Sequence, residues 1–253
     1  MYEENTKTFV QNLSHIDELA SDLIKNFRTI SIEHKKNGGH IEYAYLEHFL
    51  NELVTISNLF QHLFSNKSTK KFLFVANRMM LEILLKSEYL IQLKVKDRDD
   101  KILSLMSKDM ASTMAALDDA VGSSEGNPAK DTLVKVDIIN KFLGTGFDLA
   151  KVKANTRTFP DIKSLCTNSN LCLKDYCGEK LYHIYSEFSW QSHSRLGSSH
   201  HTEKHFNYEM NYQTEYFVEM YLKSLKLLST HSNTQEVKNK VVELKKEIGV
   251  KFV

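Results

Sequence analysis

Within residues 181–195, Tyr185, Ser189 and His193 recur at every fourth position, and Arg195 follows two residues later. Residues four apart share one face of a helix, so a phenol, a hydroxyl and an imidazole line up there with a guanidinium close by. His200, His201 and His205 come next in the chain. A hydroxyl beside an imidazole is the pairing of nucleophilic catalysis. No Gly-x-Ser-x-Gly elbow surrounds Ser189, however, which argues against a hydrolase triad. Imidazole with guanidinium suits phosphate esters better, since His moves protons near neutral pH and Arg holds charged oxygens in a fork. The competing reading is a buried Ser–His hydrogen bond that locks two helices, and on these residues alone it weighs more.

A second polar pair lies in the most apolar part of the chain. Arg78 and Glu82 stand at i and i+4 among Leu73, Phe74, Ala76, Met79, Met80, Leu81, Ile83, Leu84 and Leu85. A helix apolar on most sides is a central one, and an unpaired charge inside it is very costly. The two side chains therefore either pair as a structural bridge or point at a common partner. Tyr208, Tyr212 and Tyr216 repeat every fourth residue; such a stripe is a stacking platform for bases or, more often, core with hydroxyls at its margin. Cys166, Cys172 and Cys177 lack the C-x2-C spacing that zinc favours. They read as buried or unreactive thiols, and no metal or cofactor is expected.

These residues need a scaffold, and hydrophobic spacing supplies one. Phe9, Leu13, Ile16, Ala20, Leu23, Phe27 and Ile30 alternate steps of four and three, as do Leu46, Phe49, Leu53, Ile56, Phe60 and Leu63. Each set is the seam of an amphipathic helix. Gly38-Gly39, after a basic turn ending near Lys36, supplies a stop between them. The pattern predicts a long antiparallel hairpin over 4–66, followed by a central helix over 69–96 capped by Ser68 or Thr69. A charged turn over 97–101, a helix over 102–121, a loop over 121–131 and a helix through Phe142 come next. Pro160-Asp161 starts a short helix, the site helix covers 174–196, and C-terminal helices over 203–248 begin with a cap at Thr202.

Composition agrees with this reading. In 253 residues there are two prolines and nine glycines, too few for the many tight turns of strand-dense folds. Residues 1–253 are read as one all-α domain. Lys+Arg 33 against Asp+Glu 32 leaves a net charge of +1, so no global field draws the protein to nucleic acid or membrane. The stretch Phe72 to Val95 is broken by Asn77, Arg78, Glu82, Lys86 and Glu88, short of the ~18 apolar residues of a membrane span. The odd cysteine set and the absence of a basic-then-apolar leader point to a reducing cytoplasm, with no membrane partner.

Arg78-x3-Glu82 followed by Tyr89, and Tyr185-x3-Ser189-x3-His193-x-Ser, resemble the two signatures of a family of uncharacterised bacterial helical proteins. That family looks related to HEPN domains (higher eukaryotes and prokaryotes nucleotide-binding), and the likeness covers about Ser14 to Arg195. It implies a HEPN-like all-α helical bundle, often a homodimer, and in many members a metal-independent endoribonuclease of bacterial defence or stress response. The HEPN signature Arg-x4-6-His is met in spacing by Arg195 with His200 or His201, although Leu196 replaces the usual polar residue and Gly197 interrupts the helix. The implied chemistry is attack of a ribose 2′-hydroxyl on the neighbouring phosphate. His193 or His200 would carry the proton, Arg195 and Arg78 would hold the phosphorane charge, and Glu82 would orient Arg78 or His193. Ser189, Tyr185, Tyr89 and His201 complete the site, with RNA or a nucleotide as partner. The alternative is a non-catalytic helical module that binds a protein partner or nucleotide, its polar cluster being a structural network.

Overall fold

Seams spaced for helices do form helices. The computed structural model describes residues 2–36, 42–66, 69, 72–94, 97–102, 104–105, 159–174, 176–194 and 203–251. Over them the fold is all-α: α1 (Tyr2–Lys36), α2 (Glu42–Ser65), α3 (Leu73–Gln92), α4 (Ile162–Asn168), α5 (Glu179–Ser194), α6 (Glu203–His231) and α7 (Gln235–Lys251), with a two-stranded hairpin, β1 (Cys172–Leu173) and β2 (Tyr176–Cys177), before α5. No helix among the described residues is long and apolar enough to cross a membrane. The chain divides into two compact units, Met1–Phe27 with Leu46–Tyr89 and Asp161–Val253, and Arg28–Tyr45 with Leu90–Pro160.

In the first unit α1 and α2 pack antiparallel. Phe9 meets Phe60 and Phe64, whereas Asp17, two turns later, accepts hydrogen bonds from Ser57 and Gln61. Partner numbers fall as residue numbers rise, which only an antiparallel pair does. The seam residues Leu13, Ile16, Ala20, Leu23, Leu53, Ile56 and Phe60 are all sealed from solvent. Helix α6 closes this pair: Phe217 stacks on Phe60 at 4.0 Å, and the Tyr221 hydroxyl donates to Asp17 at 2.8 Å. Asn77 of α3 donates to the side chain and the backbone carbonyl of Gln213, joining α3 to α6. Valines and leucines of α7 (Val237, Val241, Leu244) are buried, while its Lys240–Glu236 pair lies outside.

In the second unit Arg98 is the organising side chain. It pairs with the buried Glu42 at 2.7 Å and donates to the carbonyls of Leu90 and Ile91 at 3.1 and 3.0 Å. A cation thus satisfies the orphan carbonyls at the C-terminal end of α3. Residues 97–102 are helical rather than the expected charged turn. The expected helices over 102–121 and through Phe142, and the loop over 121–131, fall almost wholly outside the described residues, as do Gly38-Gly39, Ser68 and Thr202.

Three boundaries differ from expectation for local reasons. The central helix begins at Leu73, not 69, because the Thr69 hydroxyl turns back to donate to the Leu63 carbonyl at 3.0 Å and so closes α2 instead of capping α3. It ends at Gln92, not 96. The site helix begins at Glu179, not 174, because residues 172–177 form the hairpin. Its register sets Cys172 opposite Cys177 with Cα atoms 4.3 Å apart, and the two form a disulfide, which corrects the expectation of unreactive thiols. A spacing of five carries no sign of a cross-strand pair unless the hairpin is known. Cys166 alone keeps the expected character: a buried free thiol, pushed up to about 11 by burial. A short helix does start at Pro160-Asp161 as expected, and Asp161 caps it, accepting from the Ser164 amide at 2.7 Å.

Candidate functional site

Helix α3 is buried around most of its circumference, but not all. Met80, Leu81, Ile83, Leu84 and Leu85 are sealed, whereas Met79 is 37% exposed and the side chains of Arg78 and Glu82 are 33% and 26% exposed. Arg78 and Glu82 therefore sit on a half-open strip of an otherwise central helix, so their charges cost less than full burial demands.

Helix α5 faces this strip. Its buried stripe is Leu181, Ile184 and Phe188, while Tyr182, Tyr185 and Ser189 are half-buried. A step of four residues overshoots one turn, so the row from Leu181 through Tyr185 to Ser189 drifts from the core toward the margin. The phenol and hydroxyl consequently meet the edge of the bundle, not its interior.

Here the two helices join. Tyr185 donates to Glu82 Oε1 at 3.0 Å, and Arg78 Nε donates to the same oxygen at 3.1 Å. The Arg78 guanidinium lies over the Tyr185 ring, 5.4 Å from its centroid. Tyr182 stacks on Tyr185 at 6.1 Å, and Lys163 of α4 stands 6.0 Å from the Tyr182 ring. The result is a row: guanidinium, phenol, phenol, ammonium. Burial and then the Glu82 charge hold Tyr185 above its ordinary pKa, with Arg78 opposing; the phenol keeps its proton and is the donor to Glu82. For Arg78, burial works against the charge, but Tyr185 and Glu82 outweigh it and the pKa is raised. Tyr89 on α3 is half-buried and raised by burial.

The remaining residues named from sequence are placed as follows. Ser189 is half-buried on α5, and His193 is on the same helix with its side chain outside the described residues. Arg195, His200 and His201 lie outside them altogether. Arg78, Glu82 and Tyr185 are brought together. Two members of the row were not anticipated. Tyr182 carried a signal, its spacing of three from Tyr185, while Lys163 sits in a weakly patterned segment and carried none.

Two further polar sets are structural. The buried Glu88 carboxylate of α3 accepts from the Ser169 hydroxyl and, at 3.0 Å, from the Asn170 amide, fixing the chain between α4 and the hairpin. Of the tyrosine stripe, Tyr216 is fully buried and packs edge-on to Phe188, while Tyr212 donates to Glu187 at 3.3 Å. Burial, first, raises both phenols, Tyr216 to about 12. Lys174 covers both rings, at 5.5 and 4.7 Å from their centroids, so this pair is core and not an open stacking platform. Among the described residues no group of three or more His, Cys, Asp or Glu side chains could hold a metal. No family model, no curated protein and no solved structure matches the chain, and the site is read from its own geometry.

Proposed function

We propose that the face shared by α3 and α5 binds RNA, and that the protein is a HEPN-like, dimeric, metal-independent endoribonuclease of bacterial defence or stress response, acting in the cytoplasm. The observation that carries the binding is the row of Arg78, Tyr185, Tyr182 and Lys163 at a half-open surface. Cations at both ends of two phenol rings are the groups a single strand requires: phosphates pair with the cations, and bases stack on the rings. Glu82 holds Arg78 and Tyr185 in one geometry through a single oxygen, which limits the ordering cost of binding.

In the cleavage step a ribose 2′-hydroxyl attacks the adjacent phosphorus and the 5′-oxygen of the next nucleotide leaves. His193 or His200 takes or returns the proton, and Arg195, with Arg78, carries the charge of the phosphorane. The support is the resemblance of the two signatures together with the direct meeting of Glu82 and Tyr185.

The test is cleavage and binding of labelled structured and single-stranded RNA with chelator present. The parent binds and cuts; Arg195→Ala keeps its melting temperature and loses cleavage by about 10²-fold or more. A parent that neither binds nor cuts RNA, with a melting drop confined to His193→Ala, overturns the proposal. A second reading has its own support. Glu82 already pairs with Arg78 and accepts the Tyr185 hydrogen bond, as in a closed structural network, and a module that binds a protein partner or nucleotide needs no more.

A further inference from the structure

We infer that Cys172 and Cys177 form a reversible thiol–disulfide exchange site, open to small-molecule or protein dithiols, whose state sets the order of the Lys163–Tyr182–Tyr185–Arg78 row. The consequence for ligand binding rests on the RNA-binding reading of that row; the exchange site itself does not.

Cys177 is exposed, so an external thiolate reaches one sulfur of the bond, whereas Cys166 is buried with its thiol raised to about 11. Exchange is thereby confined to the pair. A dithiol thiolate attacks Cys177 Sγ, and Cys172 leaves as a thiolate that takes up a proton. The reductant's second thiol then attacks the mixed disulfide, releasing Cys177 as the second thiol. Two electrons and two protons pass to the protein, and the reductant leaves as its own disulfide.

The hairpin closed by this bond has little else of its own. Each strand is two residues long, and so short a ladder is not stable alone. Lys174 within it sits at φ +50, the left-handed region that side chains disfavour. Its docking is specific nonetheless: the Lys174 amide donates to Glu219 at 3.3 Å, its ammonium pairs with Glu215 and covers Tyr212 and Tyr216, and Lys223 donates to the Cys172 carbonyl. The hairpin also lies in the chain between α4 and α5, which carry Lys163 and Tyr182 of the row. Helix α4, with Lys163, precedes it and packs on α5; β2 leads through Gly178, at φ +56, directly into α5 and Tyr182. Opening the bond frees the segment that sets where α5 starts against α4, and the Lys163–Tyr182–Tyr185 spacing loosens with it.

The full chain is prepared with glutathione disulfide or with dithiothreitol and read three ways. Native alkylation with iodoacetamide adds two groups after reduction and none after oxidation. Hydrogen exchange over 172–185 is faster in the reduced form. A fluorescent single-stranded oligoribonucleotide binds the reduced form about tenfold more weakly, the size of one lost base stack. In hydrogen exchange and oligoribonucleotide binding the double variant Cys172→Ser with Cys177→Ser matches the reduced parent in both preparations, and it takes up no iodoacetamide in either; Lys174→Ala speeds hydrogen exchange while leaving the alkylation pattern unchanged. No gain in alkylation on reduction, or equal exchange in the two forms, overturns the inference. If the oxidised parent binds no RNA, the RNA reading falls by itself, and the exchange difference still supports or overturns the coupling.

Discussion

Tyr185 and Glu82, 103 positions apart in sequence, meet at 3.0 Å with the phenol donating to the carboxylate. This bond and the Arg78 bond to the same oxygen bring a buried helix's open strip and the edge of α5 into one arrangement. Ring and hydroxyl contribute separately there. Tyr185→Phe removes the donor but keeps the surface under Arg78 and against Tyr182, so it costs about 0.5–1.5 kcal/mol and leaves oligoribonucleotide affinity nearly unchanged. On the proposed RNA-binding role, Tyr185→Ala removes the stack and weakens that affinity about tenfold. Fluorescence titration of both variants, beside their melting temperatures, checks the pair. Equal affinity for the two variants would contradict a stacking role.

Asp17 makes stability depend on acid. Burial raises its pKa above the ordinary 3.8, against the lowering effect of the bonds from Tyr221, Ser57 and Gln61. Between 3.8 and the raised value the native state holds more proton than the unfolded state, so the group's contribution to stability falls as pH rises through that window. Asp17→Asn removes the dependence. Denaturant melts of parent and variant across the acid range should therefore diverge in the parent's disfavour as pH rises. Asp17→Ala also leaves the buried Tyr221 hydroxyl without its acceptor and costs about a further 1–3 kcal/mol.

Phe60 is fully buried, between Phe9 at 5.7 Å and Phe217 at 4.0 Å, and so joins α1, α2 and α6. Phe60→Ala should cost about 3–5 kcal/mol through lost burial and the cavity left behind. Chemical denaturation at one pH measures it, and a loss below about 1 kcal/mol would mean that these three helices do not share a core.

Glu42 and Arg98 are 5% and 13% exposed, an ion pair nearly out of water. Glu42→Ala leaves the guanidinium uncompensated and should cost about 3–5 kcal/mol. The loss should be reported by faster hydrogen exchange over 90–94, where Arg98 holds the carbonyls of Leu90 and Ile91. Replacing both residues with apolar ones of similar volume should recover much of that loss, because the cost is the stranded charge and not the missing attraction.

Much of the helical framework was legible because it is a one-dimensional pattern. The seams from Phe9 to Phe27 and from Leu46 to Leu63 name their buried faces by spacing alone. The start of α4 at Pro160-Asp161 was legible for the same local reason. Where competition between neighbours decides, pattern failed: Thr69 had two possible partners and chose the carbonyl behind it, which moved the start of α3.

The candidate site divides along the same line. Spacing alone set Arg78 with Glu82 and Tyr185 with Ser189 and His193, because a helix fixes which residues share a face. That Glu82 serves both Arg78 and Tyr185, that Lys163 and Tyr182 extend the row, and that Cys172 faces Cys177 were decided by tertiary structure alone. Distances across helices depend on how buried faces pack and on the overshoot of a four-residue step, which turned Leu181 inward and left Tyr185 at the edge. Neither quantity is written in the spacing of any one segment.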